Sequence, residues 1–110
     1  MKNAPVVKVY QRRLDDIMKI KDIANVRIGA KHADFWIWRR GSEEKVGMPT
    51  EEYNPQHFGI IVVRDDIVLP KYLYYAMMNI HNQGYWHLRA SGSLRLKNIK
   101  KSDVENLTIG

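Results

Sequence analysis

The chain has 110 residues, of which 45% are hydrophobic and 27% are charged, and its 18 Lys and Arg outnumber 12 Asp and Glu to give a net charge of +6. This length fits one domain, expected to span residues 1–110. The sequence has no cysteine, no apolar run long enough to cross a bilayer and no apolar leader after Met1. These features exclude disulfide-built and membrane-spanning proteins and predict a basic, cytoplasmic protein that binds a polyanion.

The N-terminal third favours short elements. Residues 1–13 are expected to form a loose N-terminal segment, and the alternative is an edge strand built on the apolar piece at residues 6–10. Residues 14–24 carry apolar side chains at helical spacing, which predicts a short helix or turn. Residues 26–28 are mostly β-branched and predict a strand that ends at Gly29.

The middle of the chain favours strands. Residues 35–38 read Phe-Trp-Ile-Trp and predict a strand, followed by a turn at residues 40–42 and a return arm at residues 43–48. Residues 58–63 give the clearest strand, because their continuous apolar run predicts burial on both faces. Residues 64–66 end that strand.

One main helix is predicted at about residues 70–83. Pro70 suits the first helical position, and a stripe containing Tyr72, Leu73 and Met77 predicts a face that packs on the core. Gly84 is typical of a left-handed cap that ends a helix.

Shorter elements follow this helix. We expect a strand at residues 85–89, a turn at 91–93 and alternating apolar and polar residues at 94–98. Capping-box spacing at residues 102–105 predicts one helical turn, followed by a strand at 107–109. The sum is an α+β fold with a small, twisted, mostly antiparallel sheet, one main helix and short helical turns.

A catalytic centre is not predicted. The four histidines share no metal-ligand spacing, and adjacent side chains at Asp65 and Asp66 diverge on an extended chain, which makes them a poor metal clamp. No phosphate-binding glycine pattern is present. We expect no cofactor and no metal. A small nuclease that uses Asp65 or Asp66 stays as a minor alternative.

Clustered cations favour a nucleic-acid partner. Arginine can make two hydrogen bonds to guanine, and asparagine can make two to adenine. Serine and lysine side chains suit phosphate oxygens. The alternative to DNA contact for each cationic cluster is a charged face that is simply solvated. Trp36 and Trp38 could stack on bases, and the alternative is that both are buried in the core. The candidate DNA-binding residues are Lys31, His32, Arg39, Arg40, Arg89, Ser91, Ser93, Arg95, Lys97, Asn98 and Lys100.

Three segments, residues 20–29, 69–75 and 91–109, together resemble the target recognition domain of the specificity subunit of type I restriction-modification systems. The resemblance implies an α+β domain that reads a short half-site in double-stranded DNA without chemistry of its own. It also implies methyltransferase and nuclease subunits as partners. Lys31, His32 and the segment 91–98 fall on or beside the matching motifs, whereas Arg39 and Arg40 fall in the variable middle.

Subunits of that family carry two such domains and long spacer helices, whereas this chain ends at Gly110, where a spacer would start. We therefore expect a minimal, stand-alone or fragmentary version, carried by a phage or mobile element. Such a domain is expected to form a homodimer or to supply specificity to a separate enzyme. The alternative is a protein-interaction module that binds or blocks a restriction-modification complex.

Overall fold

A computed structural model describes residues 18–109, so the expectations for residues 1–13 and the start of the segment 14–24 lie outside the described residues. The elements are short, and most strands have only two or three residues. In chain order they are β1 (Met18–Lys19), α1 (Ile20–Ile23), β2 (Ala24–Ile28), β3 (Phe35–Ile37), β4 (Arg40–Gly41), β5 (Pro49–Thr50), β6 (Phe58–Val62), α2 (Pro70–Asn82), a 3₁₀ turn (Tyr85–His87), β7 (Ser91–Gly92), β8 (Lys97–Asn98), α3 (Lys101–Glu105) and β9 (Thr108–Ile109).

The strands form three antiparallel sheets rather than the single sheet that was predicted. The largest has the order β2–β6–β3–β5, the second has the order β4–β8–β7, and β1 pairs with β9. The predicted α+β class, with antiparallel strands and one main helix, is confirmed.

The largest sheet is built around β6. Phe58 and Ile60 are buried, and the strand pairs with β2 on one side and β3 on the other. Both edges of β6 are occupied at residues 58–60, whereas residues 61 and 62 have β2 as their strand neighbour. The predicted burial on both faces holds for the first half of the strand and is wrong at Val63, which is exposed.

Helix α2 lies where the sequence predicted it. Pro70 is the first helical residue, and Leu73 and Met77 are fully buried in the core. Gly84 follows with φ 81°, the left-handed conformation predicted to end the helix. The apolar stripe is narrower than expected, because Tyr72 is exposed.

Two expectations in the middle of the chain are wrong. The predicted turn at residues 40–42 contains β4, and the predicted return arm at residues 43–48 is a turn. The return arm is β5, which pairs with β3. The reason is that β4 finds its partner in β8, far along the chain, whereas a Gly-Ser pair by itself favours a turn.

Three expectations near the C-terminus also need correction. Residues 85–89 contain a 3₁₀ turn instead of a strand, and this turn buries Trp86 in the core. The predicted turn at 91–93 contains β7. The N-cap of α3 is Lys100, whose N–H donates to the Asp103 carboxylate at 2.8 Å, so the capping pair lies two residues before the predicted pair at 102 and 105.

Candidate nucleic-acid interface

The second sheet brings three of the predicted site residues to one face. We call β4, β8, β7 and the connecting residues 93–96 the basic ribbon. Arg40 lies directly opposite Asn98 in β4 and β8, and Asn98 lies directly opposite Ser91 in β7. Side chains at directly opposed positions share one face of a sheet, about 5 Å apart. All three residues are exposed, so this face presents a guanidinium, an amide and a hydroxyl in one row.

The adjacent row of the ribbon faces the other way. Lys97 stands between Gly41 and Gly92, one residue out of phase with Asn98, so its side chain points to the opposite face. Only 13% of the Lys97 side chain is exposed, and its Nζ lies 3.9 Å from a carboxylate oxygen of Glu43. The structure therefore places Lys97 and Asn98 on opposite faces, although they belong to one charged segment of the sequence.

The loop between β7 and β8 is a tight four-residue turn. The Leu96 N–H donates to the Ser93 carbonyl and to the Ser93 hydroxyl, each at 3.2 Å. A second contact fixes the turn from the side, since the Glu43 N–H donates to the Leu94 carbonyl at 3.0 Å. Arg95 occupies a central turn position and is exposed. The hydroxyl of Ser93 is thus used within the turn.

Arg39 joins the basic ribbon to a second loop. Its Nε donates to the Gln56 carbonyl at 2.9 Å, and its own carbonyl accepts from the Ile99 N–H at 3.0 Å. The Gln56 loop is itself closed by the Asn54 side chain, which accepts from the Gln56 N–H at 2.8 Å. Arg39 is therefore a half-buried bridge, whereas Arg40 is an exposed side chain.

The same loop holds the start of the segment that carries Lys31 and His32. The Gly29 N–H donates to the His57 carbonyl at 2.9 Å, and Trp36 Nε1 donates to the Ala30 carbonyl at 2.7 Å. Lys31 and His32 are both exposed beyond these anchors. Residues 54–57 thus contact both the Lys31 segment and Arg39.

The two tryptophans beside the cations have different environments. Trp36 is buried, whereas Trp38 is half-buried and packs on the ring of His57 with 4.8 Å between ring centroids. Burial lowers the pKa of His57 from its usual range, and the charge of Arg39 lowers it further. The Nδ1 of His57 has no hydrogen-bond partner among the described residues. The neutral ring is therefore the form that this position favours.

Two further predicted residues border the basic ribbon in sequence. Arg89 precedes β7, stacks on Tyr85 with its guanidinium carbon 3.7 Å from the ring centroid, and donates to the Tyr85 carbonyl at 3.0 Å. Lys100 follows β8 and is exposed. Among the described residues, the cations in ion pairs are Arg64, Lys97 and Lys101. Of the predicted DNA-binding cations, therefore, only Lys97 takes part in an ion pair within this range.

Asp66, one of the two adjacent aspartates at residues 65–66, bonds to a neighbouring arginine. Asp66 accepts two hydrogen bonds from Arg64 at 3.0 and 2.9 Å, and this bonding lowers the pKa of the Asp66 carboxyl. Within residues 18–109, no three His, Asp or Glu side chains lie close enough to share a metal ion. None of the helices in this range is long and apolar enough to cross a membrane.

The described fold can be compared with known structures. It is similar to that of a type I restriction-modification S subunit. The match, to the S subunit from M. genitalium, has a TM-score of 0.67 and 12% identity, and it covers 84% of this chain and 33% of that chain. The expected fold is therefore confirmed, and at this identity the likeness concerns the fold alone. No protein-family model and no curated protein matches the sequence.

Sequence reasoning missed two parts of this surface. The bridging loop at residues 54–57 escaped notice because its contribution is through backbone carbonyls, which carry no residue-type signature. The alternation at residues 94–98 predicts one apolar face for Leu94 and Leu96, whereas in the structure Leu94 is 69% exposed and Leu96 is 49% exposed. The sequence feature that indicates their exposure is their position on either side of Arg95, next to the Ser-Gly-Ser segment at residues 91–93.

Proposed function

We propose that this chain is a non-catalytic module that binds double-stranded DNA through the basic ribbon. The observation that carries the proposal is the exposed row of Arg40, Asn98 and Ser91 on one face of three strands. A β-ribbon fits the major groove of B-DNA, where base edges present their full pattern of donors and acceptors. Arginine suits both the edge of guanine and the charged phosphates, asparagine suits adenine, and serine suits phosphate.

The surrounding cations would position the ribbon on the backbone. Lys31, Lys100 and Arg95 are exposed, and none of them takes part in an ion pair among the described residues. Each phosphate that such a side chain neutralises releases counterions, which favours binding at low salt. We assign His32 and Arg89 to the margins of the same surface. Lys97 is left out, because it pairs with Glu43.

We further propose that the module supplies sequence specificity to a partner enzyme. The support is the fold likeness to an S subunit of a restriction-modification system. In this arrangement a methyltransferase or nuclease subunit performs the chemistry, and the present chain selects the site. A homodimer would present two ribbons to a two-fold site.

The proposal is tested by selection from a random duplex library with the purified chain, at about 50 mM and about 200 mM salt. An enriched motif whose binding weakens steeply with salt is the expected result. Uniform binding without a motif would remove the specificity role. Absence of any duplex binding would overturn the function itself.

A second candidate, a protein-interaction module, is favoured by a different surface. A cavity of 440 Å³ lies between the exposed face of α2 and β9. Tyr72 and Tyr75 line it, and tyrosines are enriched at protein interfaces. On this reading the chain binds a purified methyltransferase subunit and has no affinity for DNA. Loss of that binding in Tyr72→Ala plus Tyr75→Ala, with no duplex binding by the parent chain, would establish it.

A further inference from the structure

The tip of the basic ribbon is apolar where hairpin turns are ordinarily polar. Leu94 occupies the first central position of the turn, and 69% of it is exposed; Leu96 closes the turn and is 49% exposed. Glycine, asparagine, aspartate and serine dominate such positions because they favour turn backbones. Two leucines on either side of an arginine therefore need an explanation other than turn formation.

The leucines are held outward by the backbone. The turn is closed by the two hydrogen bonds from the Leu96 N–H to Ser93, and the Leu94 carbonyl is fixed by the Glu43 N–H at 3.0 Å. The ion pair between Glu43 and Lys97 ties the same point to β8. Because the backbone is anchored on two sides, the leucines are presented as a fixed apolar pair around Arg95.

We infer that Leu94 and Leu96 contact the C5-methyl groups of thymines in the major groove. This inference rests on the proposed function, in which the basic ribbon enters that groove. The base edges of unmodified DNA present one apolar group there, and it is the thymine methyl. The outward row of the ribbon is polar, so the apolar tip is the part of the ribbon suited to that methyl. The bound site is therefore expected to contain an A·T pair beneath the tip.

The inference is tested with the duplex selected above by replacing each thymine in turn with deoxyuridine. This replacement removes the methyl group and keeps every hydrogen-bonding atom. We expect one or two positions at which the replacement weakens binding by about fourfold, the effect of burying one methyl group. In the variant Leu94→Ala plus Leu96→Ala, the same replacement should leave affinity unchanged.

Two further variants control for loss of folding and for general apolar effects. Leu88→Ala removes a leucine that is 89% exposed and outside the ribbon, and it should retain the full difference between thymine and deoxyuridine. Leu94→Met keeps an apolar tip and should also retain it. Duplex binding that ignores the thymine methyl, or a difference that survives in the double alanine variant, would overturn the inference. Both results leave the proposed function intact, whereas absence of duplex binding would contradict both.

Discussion

Arg40 and Asn98 lie directly opposite each other in β4 and β8, although a central strand and the main helix separate them in the chain. Their pairing joins the two basic segments of the sequence into one surface. Neither residue gains this arrangement from its neighbours in the sequence, since β4 and β8 are two-residue strands that exist only through pairing with other strands. The proposed function depends on this pair more than on the net charge.

Asn98→Ala is expected to relax specificity at one base position. The Asn98 amide is exposed, and its one hydrogen bond to another residue within 18–109, to the Ser91 carbonyl, is long at 3.4 Å. An asparagine that makes two hydrogen bonds to adenine is worth roughly 1–3 kcal/mol of discrimination. In selection from random duplexes, the motif bound by the variant should contain a mixture of bases at one position where the parent chain selects adenine. Asn25→Ala, an exposed asparagine of β2, should keep the parent motif; an unchanged motif in Asn98→Ala would remove Asn98 from the readout.

Lys97→Met is expected to leave the salt dependence of duplex binding unchanged. Lys97 faces Glu43 and not the outward row, so it neutralises no phosphate. The matched change Lys100→Met removes an exposed lysine and should lower the slope of log affinity against log salt by about 0.9. Anisotropy titrations at several salt concentrations compare the two variants. Equal losses of slope would show that Lys97 reorients toward the DNA.

Gly47→Ala is expected to destabilise the fold by roughly 3 kcal/mol, from left-handed backbone and overpacking together. Gly47 has φ 83°, and a Cβ atom there would overlap the indole of Trp86, which is fully buried. Gly84→Ala is the matched control, because Gly84 has φ 81° but a Cβ atom there would make only an ordinary van der Waals contact, with His87 at 3.7 Å.

Only the backbone cost, roughly 1 kcal/mol, should appear in Gly84→Ala. Urea unfolding followed by tryptophan fluorescence measures both variants. Equal destabilisation would mean that Trp86 moves aside without cost.

Stability should fall on acidification because of His57. Its pKa lies below the ordinary value of about 6.5, so between these two values the unfolded chain binds more protons than the folded chain. The free energy of unfolding therefore rises with pH through this window and loses its dependence on this group above 6.5. His57→Gln should flatten the rise, and His87→Gln, at an exposed histidine, should not. Chemical unfolding at pH values on both sides of 6.5 checks this, and an unchanged pH profile in His57→Gln would assign the effect elsewhere.

The long elements of the fold were predictable from local pattern. Pro70, the spacing of Leu73 and Met77, and Gly84 are sufficient to place α2, and the β-branched run at residues 58–62 is sufficient to place β6. In both cases the residues that define the element are consecutive. Periodicity within one segment is then enough to identify it.

The second sheet was not predictable in the same way. A two-residue strand has no periodicity, and β4 is a strand because β8 lies beside it. The same limit applied to the candidate site: the charged run at residues 94–98 was evident, but its division into an outward Asn98 and an inward Lys97 follows from register. The alternation at residues 94–98 likewise predicts a strand, although residues 94–96 lie in the turn between β7 and β8.

The most direct test of DNA binding through the basic ribbon is the salt dependence of duplex binding by the parent chain and by Arg40→Ala. Arg40 is preferred to Arg39, which holds the Gln56 loop and would confound affinity with folding. We predict a linear fall of log affinity with log salt in the parent chain and a slope smaller by about 0.9 in Arg40→Ala. Arg64→Ala, at an arginine paired with Asp66, should match the parent. A parent chain without duplex affinity, or an Arg40→Ala slope equal to that of the parent, would contradict the account.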